Sequence, residues 1–389
     1  MTSSPRRIAA IALAVVLTIG VGFGIISSVG NSLGPAPVTL TGLIGSEKAP
    51  FFADDRVNAA LKRGGFIVKV STAGSRQIAG ADLTNDDFAF PAGVPAAEKI
   101  RTDHPGSQAF VPFYTPMAIA TWKPIVDLLT KAGVTHASAG LTTFDMAAYL
   151  KLVDTNTRWN DLPGNTTYAV NKSILITSTD VRTSNSAAMY LALTSYVANG
   201  DNIVQNDTQV TGLMDRLAPI FLRQGFVASS SEEPFDDYLV QGMGKSPLVM
   251  IYESQFIQRA AAADGSITAD MELVYPDPTI LSKHTFVGLT PNGIRLGDFL
   301  TNDPEIRELA TEYGFRTTDT TAFTKFVTDH QLAVPNTLIN VIDPPTYETL
   351  EAMITRLEAD YNGGLPSPSP SDGLSTSSPT AGISPAASP

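Results

Sequence analysis

The sequence predicts an α/β fold with mostly parallel sheets, preceded by one N-terminal transmembrane helix. Three observations predict it. Apolar runs of strand length alternate with segments whose apolar residues recur at helical spacing. Three of those strands run into loops of small hydroxyl residues that open helices. Residues 8–29 carry no charge and follow Arg6 and Arg7. Alternation of this kind places helices on sheets that run mostly parallel.

At about 1.5 Å per residue, the uncharged run spans a hydrocarbon core of roughly 30 Å. The arginines before it put the N-terminus in the cytoplasm and the bulk of the chain outside. A secretory signal has a shorter apolar region and a small-residue cleavage site. Here Gly34-Pro35-Ala36-Pro37 follows, and a proline after Ala36 disfavours cleavage, so an uncleaved anchor is expected. Residues 1–37 then form a cytoplasmic tip, an anchor and a linker, and the protein sits in the cell membrane as a single-pass extracellular protein.

After the linker, "VTLTGLIG" (38–45) reads as a buried strand and 51–63 as a helix ended by Gly64-Gly65. "FIVKVS" (66–71) is a strand, and Gly74-Ser75-Arg76 opens a short helix. "DDFAFPAG" and "QAFVPFY" supply two more strands. Residues 124–131 are helical, "KSILITST" (172–179) is a strand, and a helix follows it to Asn199. Residues 213–224 are helical, and "SPLVMIYE" (246–253) and "MELVYP" (271–276) are strands. Helices return at 303–313, 321–330 and 347–361. From Leu365 onward the chain is Pro, Ser, Ala, Thr and Gly with a single charge at Asp372, a composition that cannot bury a core.

Composition narrows the function. The net charge of −12 opposes a nucleic-acid footprint. The absence of cysteine excludes disulfides, thiolate metal sites, cysteine nucleophiles and a lipid anchor on cysteine. No two of the four histidines have metal-ligand spacing on one helix turn, and no cofactor is expected.

The stretch "TSTDVRTSNSAAMYLALTSYVANG" (177–200) puts Thr183, Ser184, Asn185 and Ser186 in a row where a helix begins. One reading is capping, because the first four N–H groups of a helix have no partner inside it. The other is that those groups and the positive end of the helix dipole face a ligand. Strand 38–45 runs into Ser46-Glu47-Lys48 and strand 66–71 into Gly74-Ser75-Arg76 in the same way. In α/β sheets ligands bind beyond the C-terminal ends of strands, so one common site accounts for three such loops.

Four phrases, in this order and spacing, resemble a known family: "GSEKAPFFADDRVNAALKRGGFIVKVSTAGSRQIA", "FYTPMAIATWKPIVDLL", "TSNSAAMYLALTSYVANG" and "PLVMIYESQFI". The chain looks like the type II periplasmic solute-binding proteins of ABC transporters, above all the extracellular ones of actinobacteria related to molybdate binders. The resemblance covers roughly 38–360. It implies two α/β lobes joined by two hinge crossings, with a ligand in the cleft. Lobe I would be 38–114 plus 281–360, lobe II 115–280, and 363–389 a disordered tail. "VPFYTPMAIATW" and "VYPDPTILSKHT" would be the crossings.

On that resemblance Ser46 and Ser75 stand where the family pattern has two first-lobe serines. Tyr252 matches a tyrosine at the end of the late strand. Ser178, Thr179 and the loop 231–234 match positions that offer backbone N–H groups. Ser184 and Asn185 would face the cleft opposite Ser46 and Ser75. Lys48, Arg76, Arg182 and Glu253 add charges that the pattern lacks. Arginine suits a carboxylate or phosphate bidentately, whereas Glu253 suits a hydroxylated or cationic ligand. The competing readings are an ion pair for Arg76 and a core aromatic with a bonded hydroxyl for Tyr252.

Other motifs carry less. "GMGKS" (242–246) lacks the first glycine of a phosphate-binding loop, since Leu239 stands there. "EEPFDDY" (232–238) reads as a solvated acidic face. Asp180, His284 and a serine have no nucleophile-elbow context. The sequence therefore predicts a membrane-anchored binding protein and no enzyme. Its expected partners are a small polar, even anionic, ligand and a transporter permease or another membrane protein. The rival readings are a structural or sensory ectodomain acting through protein–protein contacts and a surface hydrolase.

Overall fold

A computed structural model describes residues 36–138, 140–225, 228–338 and 340–363. The expected anchor at 8–29 and nearly all of the expected tail lie outside the described residues. Among the described residues no helix is long and apolar enough to cross a membrane.

In chain order the elements are β1 (Val38–Ile44), a 3₁₀ turn (Ser46–Lys48), α1 (Ala49–Ala53), α2 (Asp55–Arg63), β2 (Phe66–Thr72), α3 (Ser75–Ala79), β3 (Phe88–Phe90) and α4 (Val94–Asp103). The long strand β4 (Gln108–Trp122) leads to α5 (Lys123–Lys131), β5 (Thr135–Ser138), β6 (Leu141–Asp145), α6 (Met146–Asp154), α7 (Asn185–Ala198), α8 (Asp207–Leu222) and α9 (Glu232–Gln241). Then come β7 (Leu248–Tyr252), α10 (Glu253–Ala262), β8 (Met271–Asp277), β9 (Thr279–Gly288), α11 (Pro291–Asn302), α12 (Pro304–Glu312), α13 (Thr320–Asp329), β10 (Val341–Ile342) and α14 (Tyr347–Gly363).

The strands run in the order β2-β1-β3-β9-β4-β8-β6-β5, with β10 on β9 and β7 on β4. β1 pairs parallel with both β2 and β3. The centre departs from the parallel expectation. β4 pairs antiparallel with β9 through its first half and with β7 and β8 through its second. The reason is topological: the chain leaves one lobe along β4 and returns through β8 and β9, so the outgoing and returning strands oppose each other.

Each lobe has its own apolar core. The first is rich in phenylalanine: Phe113 stacks on Phe315 at 4.3 Å and Phe88 on Phe286 at 4.8 Å. Such pairs add about 0.5–1.5 kcal/mol beyond area burial. The second is built around α7, every residue of which from Ser186 to Ser195 is buried, and β7, buried along its whole length. A helix apolar on all sides must be covered on all sides, and α7 becomes the axis of that lobe.

Several expectations are corrected. The helix expected at 51–63 breaks at Asp54, whose extended backbone lets its carboxylate cap α2 by accepting from Arg56 N. The strand expected at 172–179 is extended chain that touches β7 only around Thr177. Side chains take the ladder's place: Ile176 N donates to Tyr149 Oη and Ser178 N to Gln224 Oε1. Helices α4, α6, α9 and α10 add to those expected, and α11 precedes the helix expected at 303–313. Helix α14, expected within lobe I, buries Leu350, Met353, Ile354 and Leu357 in the second lobe's core, and only Tyr347 reaches the first-lobe cluster around Ala97.

Candidate functional site

Five chain segments meet between the lobes. The first lobe supplies Gly45–Glu47 at the end of β1 and Ala73–Ser75 at the end of β2. The second supplies Ser184 and Asn185 at the start of α7, Ser229–Ser231 before α9, and Tyr252 at the end of β7. Each segment is a strand or extended chain turning into a helix. The cleft therefore collects helix N-termini, whose first N–H groups lack partners within the helix.

The serine row before α7 is not a set of caps. Ser184 is the N-cap residue, yet its side chain makes no capping hydrogen bond. Its hydroxyl lies 3.0 Å from Ser186 Oγ, which in turn lies 2.8 Å from Thr179 Oγ1. Ser231, N-cap of α9, also makes no side-chain cap bond. Asn185 Nδ2 donates to Tyr252 Oη at 3.1 Å and reaches Ser282 Oγ at 3.4 Å. Burial, with the Glu47 charge nearby, pushes the Tyr252 phenol well up, so it is a neutral hydroxyl. On the opposite wall, Ser75 Oγ accepts from Ala92 N at 2.9 Å.

The lobes touch. Ser46 Oγ is 3.2 Å from Ser230 Oγ across the cleft. A Cβ on Gly74 would stand 2.1 Å from the Thr183 carbonyl oxygen, and one on Gly93 2.6 Å from Asn185 Oδ1. The space left is about 20 Å³, room for roughly one water. Anything larger requires the lobes to part.

Beneath the cleft floor lies a buried charged cluster. Lys48 and His284 are wholly buried, and the Glu47 side chain is 8% exposed. Lys48 Nζ donates to Glu47 Oε1 and to His284 Nδ1, the latter at 3.1 Å. His284 Nδ1 also lies 3.3 Å from Glu47 Oε1, and His284 Nε2 has no hydrogen-bond partner among the described residues. Burial opposes the Glu47 charge, but Lys48 and His284 outweigh it and hold the carboxyl well below its ordinary range. Burial, with the Lys48 charge beside it, pushes His284 down to about 4 against the pull of Glu47. Lys48 is lowered by burial against the same carboxylate. Its ammonium also lies 4.8 Å from the Phe90 ring centroid.

The structure brings together Ser46, Ser75, Ser184, Asn185 and Tyr252. It does not bring the other expected residues into the cleft. Lys48 sits beneath the floor. Arg76 faces α14, with its Nε 2.8 Å from Glu351 Oε2 and its Nη1 2.8 Å from Glu358 Oε1. Its Nη1 also donates to the Arg182 carbonyl at 2.9 Å. Arg182 pairs with Asp180 at 2.6 Å and lies over the Tyr361 ring. Ser178 spends its N–H on Gln224, and Thr179 bonds Ser186. Glu253 is buried against Arg316 at 2.7 Å and Tyr275 Oη at 2.7 Å.

Glu47, Ser229 and Ser230 are the lining residues with polar side chains that sequence reasoning passed over. Glu47 stood in view between two chosen neighbours. In a 3₁₀ turn successive side chains point about 120° apart, and nothing local says which of Ser46, Glu47 and Lys48 faces the cleft. Among the described residues no group of three His, Asp or Glu side chains is placed to hold a metal ion.

No family model matches the chain, and no curated protein matches it. Solved structures do. A periplasmic thiamin-binding protein aligns over 84% of this chain and 99% of its own, at 12% identity and a TM-score of 0.50. The periplasmic binding protein AfuA from Actinobacillus pleuropneumoniae, with exogenous fructose-6-phosphate bound, aligns over 82% of this chain and 96% of its own, at 14% identity and 0.50. Iron-bound HitA from Pseudomonas aeruginosa aligns over 83% of this chain and 98% of its own, at 12% identity and 0.50.

Proposed function

The chain has the two-lobe α/β fold of type II solute-binding proteins, and from that premise we propose that it binds a small polar ligand in the cleft between its lobes. The observation that carries the reading is the convergence of five hydroxyl-bearing segments, drawn from both lobes, on one cavity. Three of the helices that start there, α7, α9 and α10, run ten residues or more, and their dipoles favour acceptor atoms of a ligand at that point. Binding proceeds by hinge opening about the β4 and β8–β9 crossings, entry, and reclosure. The role on this reading is capture: among the described residues Glu47, Lys48 and His284 spend their side-chain contacts on one another, and no serine or threonine hydroxyl is bonded to them.

On this reading the run at 8–29 tethers the chain to the cell membrane with its lobes outside, and the captured ligand passes to a transporter permease or is reported to another membrane protein. N-terminal sequencing of membrane-fraction protein checks the tether, which predicts that the run stays attached. Ligand capture is checked by thermal melting against a set of small polar metabolites. A ligand at about a hundred times its Kd stabilises the folded state by about 2.7 kcal/mol, and Ser75→Ala should erase that gain. A set in which no compound raises the melting temperature of the wild type overturns the reading.

A second reading, a structural or sensory ectodomain, is favoured by one observation: Arg76 ties the first lobe to α14 and to Arg182 on the second. A cleft held shut by such contacts suits a scaffold. The two readings separate on whether the lobes part in solution.

A further inference from the structure

The chemistry of the cleft is uneven, and that unevenness narrows the ligand. Hydroxyls and helix N-termini dominate the lining and suit acceptor oxygens. Among the described residues, the one ionised side chain that lines the cleft is Glu47, as a carboxylate an acceptor with no hydrogen of its own. Its Oε1 is taken by Lys48. Its Oε2 has no hydrogen-bond partner among the described residues and is not sealed off, the side chain being 8% exposed. Gly45 makes room for the carboxylate: a Cβ there would lie 2.4 Å from Oε1 and 2.5 Å from Oε2. The group is thus packed in place, charged, and half satisfied.

We infer that Glu47 is the specificity-determining residue of the cleft: the ligand is a small anion that still carries a hydroxyl, and it gives that hydrogen to Glu47 Oε2 while its other oxygens meet the serines and helix N-termini. The inference rests on the binding reading above and adds the class of ligand to it. A protonated oxyanion and a hydroxy acid share this chemistry. An oxyanion without hydrogen would set bare oxygens against a carboxylate in a cavity too small to hold more than about one water beside it, and like charges so placed repel strongly. Lys48 and His284 are positioning residues. They touch Glu47 on the side away from the cleft and fix both its charge and its orientation.

Two matched pairs of probes test this by calorimetry at pH 7.5 on the full chain. Orthophosphate and sulfate differ in whether the dianion keeps a proton; lactate and propionate differ by one hydroxyl. Glu47→Gln alone leaves Lys48 buried without its counter-charge, so the double variant Glu47→Gln/Lys48→Met is measured beside it, with melting curves to establish that both fold. The expected result is that the hydroxyl-bearing member of at least one pair binds the wild type about tenfold or more tightly than its mate, because a site built to accept a ligand hydrogen leaves its acceptor unpaired otherwise. The double variant should lose that preference. The pair that responds tells the protonated oxyanion from the hydroxy acid. Equal or tighter binding of sulfate and propionate overturns the inference, and so does a preference that survives in the double variant. Binding of none of the four overturns this ligand class, while the metabolite melting experiment decides separately whether the cleft binds anything.

Discussion

Ser46 Oγ of the first lobe lies 3.2 Å from Ser230 Oγ of the second, and the pair closes the cleft over about 20 Å³ of space. Both side chains follow a strand or extended segment, and both stand beside free helix ends. The contact marks the closed geometry and shows which surfaces a ligand must separate or replace.

Ser184→Ala distinguishes cap from ligand contact. Removing a working cap costs about 1 kcal/mol. Since Ser184 makes no cap bond, and Ser186 keeps Thr179 as a partner when the Ser184 hydroxyl is removed, the substitution should cost about 0.5 kcal/mol, the low end for a lost neutral hydrogen bond, read by chemical denaturation. A loss near the full cap value would mean that the hydroxyl holds the helix after all.

Gly74→Ala should prop the lobes apart. The Gly74 backbone (φ −65°, ψ 148°) is open to any residue, so the substitution brings no backbone strain. The added methyl meets the Thr183 carbonyl at 2.1 Å, and only separation of the lobes relieves that. Small-angle scattering should give a larger radius of gyration than the wild type. An unchanged radius contradicts the placement of these two residues.

Arg76→Ala should loosen the same closure by another route. It removes charge-assisted bonds to Glu351 and Glu358 and a bond to the Arg182 carbonyl. The side chain is 27% exposed, so solvent screening trims the effect to about 1 kcal/mol. High salt should reproduce part of the change in wild type and none in the variant, measured as melting temperature against ionic strength.

His284 sets an acid limit. Its folded value is pushed to about 4 from an ordinary 6.5. The unfolded chain therefore takes up the proton first, and stability present above pH 6.5 is lost as pH falls through 4. Linkage puts the loss on the order of 3 kcal/mol. Glu47, held below its ordinary range, adds a loss at still lower pH. His284→Gln should flatten the upper part of this profile, between pH 6.5 and 4, in urea melts. A wild-type profile flat across that window would contradict a buried neutral histidine.

The residues legible in the sequence were those whose role is local. Ser46, Ser75, Ser184 and Asn185 follow strand-to-helix turns, a pattern visible along the chain. The charged residues were not legible, because their partners are remote. Arg76 meets Glu351 and Glu358 across 275 and 282 positions, and Glu253 meets Arg316 across 63. No local pattern says that a charge is already spent on such a partner. The segment 172–179 has the composition of a strand, but Tyr149 and Gln224 side chains occupy the backbone groups that a neighbouring strand would take. Helix α14 has an apolar face, and the sequence does not say which lobe that face covers.

Native mass spectrometry of the protein purified from its own host tests the central claim most directly, with wild type and Ser46→Ala/Ser75→Ala compared. A binding cleft lined by both serines predicts a discrete small-molecule mass retained by the wild type and released by the double variant, with both chains folded. The same adduct on both proteins, or none on either, would contradict it.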